Sequence, residues 1–337
     1  MGRLVTHTGT FEHAGIDLAF TRWEALRVEG VAPGVAGGRL ASRLPRALSR
    51  KAAGKLEQGY DPCSNCAPLV LLHGFAQSSA TWAEVAPLLA QTEGAGAVYA
   101  LELVGHGEST RPNDAAHYGM DAVCACVRDF CAWVARREGA LPVLTGYSMG
   151  GRVALECLVR FGEPSSVQDA SALPVRALVL ESAGLGPVDS AAREAFRTRN
   201  EDWAQRVRAE GVSAFMDYWE SLPLFASQRN LLPAARAALR EARERNDAEA
   251  LARTFEGTGQ HHQHVQAETL SALAGAPGLS VLYLAGDLDA KYAQVADEVR
   301  RACPHAFVRM IPGAGHSVHL EQPAAFLQEL QRFLQAQ

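Results

Sequence analysis

The chain has 337 residues, of which 48% are hydrophobic and 20% are charged, and its formal net charge is −5. This length is enough for one large core with an added lid, and the charge balance gives no signal for nucleic-acid binding. No apolar run reaches the roughly 20 residues of a membrane-spanning helix, and the N-terminus lacks the apolar segment of a signal peptide. We therefore expect a cytoplasmic protein without stable membrane insertion and without a nucleic-acid partner.

The first third of the chain contains a hairpin pattern and then an unusual segment. Residues 4–8 and 16–23 resemble two paired strands. Residues 31–67 are rich in Gly, Ala and Pro, and we interpret them as a surface insertion between strands. The alternative is a basic amphipathic piece that lies on anionic membrane, although Pro45 would kink or end a helix there. Its arginines at near-helical spacing are Arg39, Arg43, Arg46 and Arg50.

From residue 69 onward, apolar strand patterns alternate with helical patterns, which is typical of a parallel sheet covered by helices on both faces. Strand patterns disappear between about 184 and 275, where only helices are predicted. We expect a core formed by residues 1–183 and 276–337, and a helical cap at 184–275 that roofs the carboxyl ends of the strands. The predicted strands are 69–73, 97–103, 142–145, 175–181, 279–285 and 306–311, and the predicted helices are 81–89, 120–136, 151–161, 191–210, 212–221, 232–245, 248–255 and 323–335.

Residues 146–150 contain the pattern G-x-S-x-G, which places Ser148 on a sharp turn between a strand and a helix. In the α/β-hydrolase fold such a turn lifts the hydroxyl above the edge of the sheet. A second strand, 69–73, ends in His73-Gly74-Phe75. In that fold the residue after the serine and the residue at this second position supply two backbone N–H groups to an oxyanion hole. These residues are Met149 and Phe75.

A serine hydroxyl needs an imidazole to take its proton and a carboxylate to hold that imidazole in the right tautomer. Two later strands run into such residues in the expected chain order. The strand at 279–285 leads to Asp287 and Asp289, and the strand at 306–311 leads to His316. We predict a triad of Ser148, Asp289 and His316, with Asp287 as the rival acid.

Two other groups of residues raise the question of a metal site. Cys63 and Cys66 form one C-x-x-C pair, but no second pair lies at useful spacing, and buried thiols in a reducing cytoplasm explain the cysteines more simply. A cluster of histidines could bind a metal, although a solvated turn is the preferred interpretation. We expect neither a metal nor a cofactor. The clustered histidines are His261, His262 and His264.

Six segments together are typical of one family: LHGF at 72–75, GYSMGGR at 146–152, ESAGLG at 181–186, WESLPLFASQ at 219–228, GDLDAKY at 286–292 and AGHSVH at 314–319. On these segments, over about residues 69–335, the chain resembles the 2-succinyl-6-hydroxy-2,4-cyclohexadiene-1-carboxylate synthases of menaquinone biosynthesis, which have the α/β-hydrolase fold. It departs from the usual pattern at Glu102, where these folds carry Asp, and by the insertion at 31–67.

The resemblance implies a lyase whose small-molecule substrate is a tricarboxylate. Its reaction eliminates pyruvate from 2-succinyl-5-enolpyruvyl-6-hydroxy-3-cyclohexene-1-carboxylate, and Ser148 would act as the base. Two alternatives stay open at this stage. The same triad serves a serine hydrolase, either a carboxylesterase or a C–C bond hydrolase, and a third possibility is an inactive fold used for binding.

Positive charge in the pocket would favour the tricarboxylate. Arg152 lies one helical turn after Ser148 on the same face, beside a helix N-terminus that attracts anions. An arginine fork matches a carboxylate with two hydrogen bonds. Arginines early in the cap could reach the pocket or could lie on a solvated helix face. Tyr147 could donate a hydrogen bond to the substrate, and Trp219 could form a wall of the pocket. The cap arginines are Arg193, Arg197 and Arg199.

Overall fold

In the computed structural model, residues 3–26, 66–162 and 171–336 are described. They form an eight-stranded sheet in the order β1-β2-β4-β3-β5-β6-β7-β8. The β1–β2 and β2–β4 pairs are antiparallel, and every other neighbouring pair is parallel. The strands are β1 (Arg3–His13), β2 (Ile16–Leu26), β3 (Ala67–Leu72), β4 (Ala95–Leu101), β5 (Val143–Tyr147), β6 (Ala177–Glu181), β7 (Ser280–Gly286) and β8 (Phe307–Ile311).

Helices cover both faces of the sheet, because its central strands are apolar on both sides. Along β3, Val70 and Leu72 belong to one apolar cluster and Leu69 and Leu71 belong to another, because successive side chains of a strand point to opposite faces of the sheet. The helices of the described ranges are α1 (Ala86–Leu89), α2 (Met120–Glu138), α3 (Met149–Phe161), α4 (Ser190–Ser221), α5 (Pro233–Glu244), α6 (Ala248–Gly257), α7 (Gln266–Ala274), α8 (Ala290–Ala302), α9 (Val318–Glu321) and α10 (Pro323–Gln335).

The predicted α/β-hydrolase fold is confirmed, and most predicted elements are present with shifted ends. The predicted helix at 81–89 is wrong: a 3₁₀ turn at Ser79–Trp82 is followed by the separate short helix α1. Pro87 explains the break, because its ring fits the first turn of a helix but not the interior. Helices α7, α8 and α9 were not predicted. Of the predicted insertion at 31–67, only Cys66 and Ala67 belong to the described residues. Its four arginines and Cys63 lie outside them.

The block between β6 and β7 contains α4 to α7, and we call residues 184–275 the cap, with the predicted bounds. Helix α4 is broken at Gly211, whose φ of 79° lies outside the helical region, as the two predicted segments require. An apolar cluster joins α4 and α6 and includes Phe215, Trp219 and Phe255. Among the described residues, no helix is long and apolar enough to cross a membrane.

Candidate active site

Ser148 lies between β5 and α3 with φ 50° and ψ −103°, a backbone conformation that is costly for any residue except glycine. Its N–H donates to the Glu181 carbonyl of β6 at 2.8 Å, which helps to hold this turn. The turn also requires a close approach of α3 to β3. A Cβ atom on Gly150 would lie 2.6 Å from the carbonyl carbon of Leu72, so only glycine fits there. The predicted elbow is therefore present.

Replacing Gly150 with alanine should lower the free energy of unfolding by about 3 kcal/mol, because the added methyl group meets backbone that cannot move aside easily. Urea denaturation followed by circular dichroism measures this change. Gly184→Ala is the matched control, since a Cβ there has its nearest contacts at 3.8 Å and 3.9 Å. Equal losses in the two variants would contradict this account of the turn.

The structure brings the three predicted triad residues together. His316 Nε2 lies 2.9 Å from Ser148 Oγ, and His316 Nδ1 lies 2.9 Å from Asp289 Oδ2. We assign the Nδ1–H tautomer from this network, so Nε2 is free to accept the serine proton. His316 and Asp289 are 1% and 6% exposed. Asp289 is held in turn by the Tyr292 N–H, which donates to Oδ1 at 3.2 Å at the start of α8.

Asp287, the rival acid, lies elsewhere in the same loop. Its side chain is exposed, and its Oδ1 accepts the Gly313 N–H at 2.8 Å. The contact ties the β7 and β8 loops together. The geometry therefore favours Asp289 as the partner of His316.

The backbone N–H groups of Phe75 and Met149 donate no hydrogen bond within the described chain, and both residues line the cavity that contains Ser148. The turn before Phe75 is fixed by His73, whose Nδ1–H donates to the Gly74 carbonyl at 2.8 Å while Nε2 accepts the Leu103 N–H at 3.0 Å. Burial lowers the pKa of His73 to about 4. The imidazole is therefore neutral at physiological pH, as this pair of contacts requires.

The cavity lies between the elbow and the cap. One wall is aromatic: Trp219 packs against Phe75 at 5.0 Å and against Phe225 at 5.6 Å between ring centroids. The rest of the lining is mixed: apolar side chains such as Met149, Leu222 and Leu224 lie beside polar and cationic groups. The lining comprises Phe75, Gln77, Tyr147, Ser148, Met149, Arg152, Lys291 and Tyr292 from the core, and Arg199, Trp203, Trp219, Leu222, Leu224, Phe225, Arg243, Thr254, Phe255, Thr258, Gly259 and Gln260 from the cap.

Two guanidinium groups face this cavity without an acidic partner among the described residues. Arg152 is 8% exposed, and its guanidinium donates to the Thr258 carbonyl at 3.0 Å. Burial lowers the pKa of Arg152 to about 10, so it stays charged at neutral pH. Arg199 lies over the Trp203 ring at 4.7 Å, and its Nε and one terminal nitrogen are buried with no hydrogen-bond partner in the described part of the chain. Burial also lowers the pKa of Arg199.

Two further cations, Arg243 and Lys291, also line the cavity, and neither was predicted as a substrate contact. Arg243 is 2% exposed and donates to Glu220 at 2.7 Å, so its charge is partly compensated. Lys291 is exposed and lies 5.1 Å from the centre of the Tyr292 ring. Lys291 belongs to the segment GDLDAKY, which already carried the resemblance, whereas no sequence signal separated Arg243 from the other arginines of α5.

The structure does not bring Arg193 and Arg197 to the cavity. Arg193 donates to the carbonyls of His261 and Gln263 at 2.5 Å and 2.8 Å, which fixes a cap loop. Arg197 is exposed and pairs with Glu194 at 2.5 Å. The reason is helical phase, because successive residues of α4 turn by about 100° and each of these side chains points away from the pocket. We therefore do not carry them forward as substrate contacts.

Tyr147 and Trp219 both line the cavity, but the Tyr147 hydroxyl is already used. It shares a 2.5 Å hydrogen bond with Ser317 Oγ, and burial raises the pKa of Tyr147 above its usual range. Its ring lies 5.4 Å from the His316 ring. Tyr147 thus presents a ring face to the site, and donation of its hydroxyl to a ligand would require this hydrogen bond to break.

The clustered histidines have separate partners. His261 lies 3.0 Å from the Asn200 amide, His262 contacts the Glu256 carbonyl at 2.7 Å, and His264 pairs with Glu156 at 2.8 Å. Within the described ranges no three His, Cys, Asp or Glu side chains are grouped so that they could hold a metal ion.

Comparison with known proteins agrees with this fold and with the family that the sequence resembles. The model of the alpha/beta hydrolase family matches residues 69–329. A 2-succinyl-6-hydroxy-2,4-cyclohexadiene-1-carboxylate synthase from Salmonella typhimurium is 32% identical over 266 residues, which cover 79% of this chain and 93% of that protein. The structure of MenH from S. aureus gives a TM-score of 0.71 at 25% identity, over 82% of this chain and 97% of that chain. A thermophilic esterase from Thermogutta terrifontis, at 22% identity and a TM-score of 0.66 over 99% of this chain and 98% of that chain, shares the fold.

Proposed function

Because the chain belongs to the alpha/beta hydrolase family, and within it to the 2-succinyl-6-hydroxy-2,4-cyclohexadiene-1-carboxylate synthases of menaquinone biosynthesis, we propose that it is the lyase that forms this product by eliminating pyruvate. The substrate would be 2-succinyl-5-enolpyruvyl-6-hydroxy-3-cyclohexene-1-carboxylate. Ser148, His316 and Asp289 would act together as the base, with Phe75 and Met149 as the oxyanion hole.

The observation that carries this proposal is a pair of guanidinium groups that line the cavity of Ser148 and have no acidic partner among the described residues. Burying a cation without a counter-charge costs free energy, and a ligand with carboxylates would remove that cost. Arg152 and Arg199 both face the cavity, and Arg243 adds a partly compensated third cation. The substrate has three carboxylates. A pocket for a neutral ester would gain nothing from these charges.

The elimination can be written with every electron pair assigned. A proton leaves ring carbon 2, next to the succinyl ketone, and its electron pair forms the C2–C3 double bond. The C3–C4 double bond moves to C4–C5, and the C5–O bond breaks. The leaving oxygen carries its pair away as the enolate of pyruvate, which takes up a proton on carbon. One tricarboxylate thus gives one cyclohexadiene and one pyruvate, and the step requires no metal or redox cofactor.

In this mechanism Ser148 Oγ takes the proton from carbon 2 while its own hydroxyl proton passes to His316 Nε2. Asp289 stabilises the imidazolium that forms. The negative charge that develops on the ketone oxygen is stabilised by the N–H groups of Phe75 and Met149, which have no other acceptor among the described residues.

The same unoccupied N–H groups favour one second candidate, a serine hydrolase in which Ser148 attacks an ester or a C–C bond next to a carbonyl. The two functions separate in one pair of assays. Pyruvate release from the tricarboxylate is followed with lactate dehydrogenase, and ester cleavage is followed with p-nitrophenyl acetate. We expect rapid pyruvate release and slow ester cleavage. Fast ester turnover without pyruvate would favour the hydrolase. Rates that do not exceed the uncatalysed background and are unchanged in Ser148→Ala would favour a binding protein.

A further inference from the structure

The loop that carries His316 is held by the core from below. Glu321, in the short helix α9, accepts the Gly315 N–H at 2.8 Å and the Ser317 N–H at 3.1 Å. These are the two backbone groups on either side of His316. One carboxylate therefore fixes the loop on both sides of the imidazole.

The cap holds the same loop from above. Gln228, in the 3₁₀ segment Pro223–Asn230, donates from Nε2 to Ser317 Oγ at 2.9 Å, and Ser317 is fully buried. The cap and this loop also approach closely at Gly315, where an added Cβ would collide with the Ser227 side chain. The Ser317 hydroxyl also bonds to Tyr147, whose ring faces His316. Ser317 thus links the cap to the loop of the imidazole.

The amide of Gln228 is oriented by a residue of the cavity wall. Its Oε1 lies 3.5 Å from a terminal nitrogen of Arg243, which leaves Nε2 directed at Ser317. Neither Gln228 nor Ser317 lines the cavity. Both therefore reach the reacting atoms only through other residues.

We propose that Gln228 is a positioning residue whose hydrogen bond to Ser317 Oγ keeps the His316 imidazole at the distance from which it activates Ser148. The inference rests on the proposed role of the triad. A small displacement of a base from its partner is enough to slow a proton transfer strongly. Removal of this hydrogen bond should therefore lower kcat and leave KM nearly unchanged, since no cavity group is lost.

The experiment compares Gln228→Leu, Ser317→Ala, the double variant and Ser317→Thr with the unaltered protein. Gln263→Leu is the matched control. Gln263 is also a buried cap glutamine, and its amide donates at 3.0 Å to the carbonyl of Gly184, the first residue of the cap. For each protein we would measure the rate at which a fluorophosphonate labels Ser148, kcat and KM for pyruvate release, and the melting temperature. The labelling rate depends on Ser148 and His316 and does not require the lyase substrate.

We expect Gln228→Leu and Ser317→Ala each to slow labelling and kcat about tenfold, with KM within about twofold. The double variant should be no slower than either single one, and Ser317→Thr should regain most of the rate. Gln263→Leu should lower the melting temperature and label within about twofold of the unaltered protein.

Additive losses in the double variant, equal slowing in Gln263→Leu, or unchanged labelling in both Gln228→Leu and Ser317→Ala would overturn the inference. So would an unaltered protein whose Ser148 does not react. Rapid labelling without pyruvate release would instead refute the proposed lyase, and the comparison of labelling rates would still decide the role of Gln228.

Discussion

Asp289→Asn is expected to lower kcat for pyruvate release by about 10³- to 10⁴-fold. An asparagine in this place keeps the shape of the side chain but presents an amide to His316 Nδ1 in place of the carboxylate that lies 2.9 Å away. The imidazole then favours the tautomer with its proton on Nε2, which cannot accept the proton of Ser148, and loss of the carboxylate also removes the stabilisation of the imidazolium. The lactate dehydrogenase assay measures this loss, and a thermal melt checks that the variant is folded.

Asp287→Asn is the matched control for this prediction. It makes the same chemical change two residues away, in an exposed side chain that bonds to Gly313 and not to His316. We expect its kcat to stay within about threefold of the unaltered value. A larger loss in Asp287→Asn than in Asp289→Asn would mean that the acid of the triad has been assigned to the wrong carboxylate.

The fold was predictable because its strands are short apolar runs that end at recognisable turns. The elbow around Ser148 is specified by glycines that allow the close approach of α3 to β3, and this requirement is visible in the sequence as G-x-S-x-G. Asp289 and His316 follow β7 and β8, which lie second and third from β5 in the sheet and run parallel to it. The ends of parallel strands meet at one edge, so local patterns were enough to place three distant residues together.

The pocket charges were less predictable, because they depend on packing between helices. Arg197 and Arg199 are two residues apart on α4, which places them about 200° apart around its axis. Only contacts with the rest of the cap decide which of them faces inward. Arg243 lies on a helix whose other described residues are half-buried or exposed, so its sequence pattern does not reveal that it lines the cavity. The link from Gln228 to Ser317 joins residues 89 positions apart and has no local signature.

Arg199→Met is expected to lower kcat/KM for the tricarboxylate by roughly 10- to 100-fold and to leave the protein at least as stable. A charged hydrogen bond in a shielded site contributes about 1.5–3 kcal/mol, and tenfold corresponds to about 1.4 kcal/mol. Without a ligand, this guanidinium destabilises the folded protein, because its Nε and one terminal nitrogen have no hydrogen-bond partner among the described residues. Methionine removes that charge and keeps an apolar side chain against Trp203. Steady-state kinetics and thermal melts measure the two effects.

Arg197→Met is the control, on the same helix and with the same change of side chain. Arg197 is exposed and pairs with Glu194, so its replacement should leave kcat/KM within about twofold. For Arg199→Met we expect lower activity together with equal or higher stability. This combination indicates a residue that binds an anionic ligand, because loss of a residue that stabilises the fold would lower the stability. If Arg199→Met instead lowered the melting temperature and left kcat/KM intact, the cationic cavity would not be a binding site for the tricarboxylate, and the lyase proposal would lose the observation on which it rests.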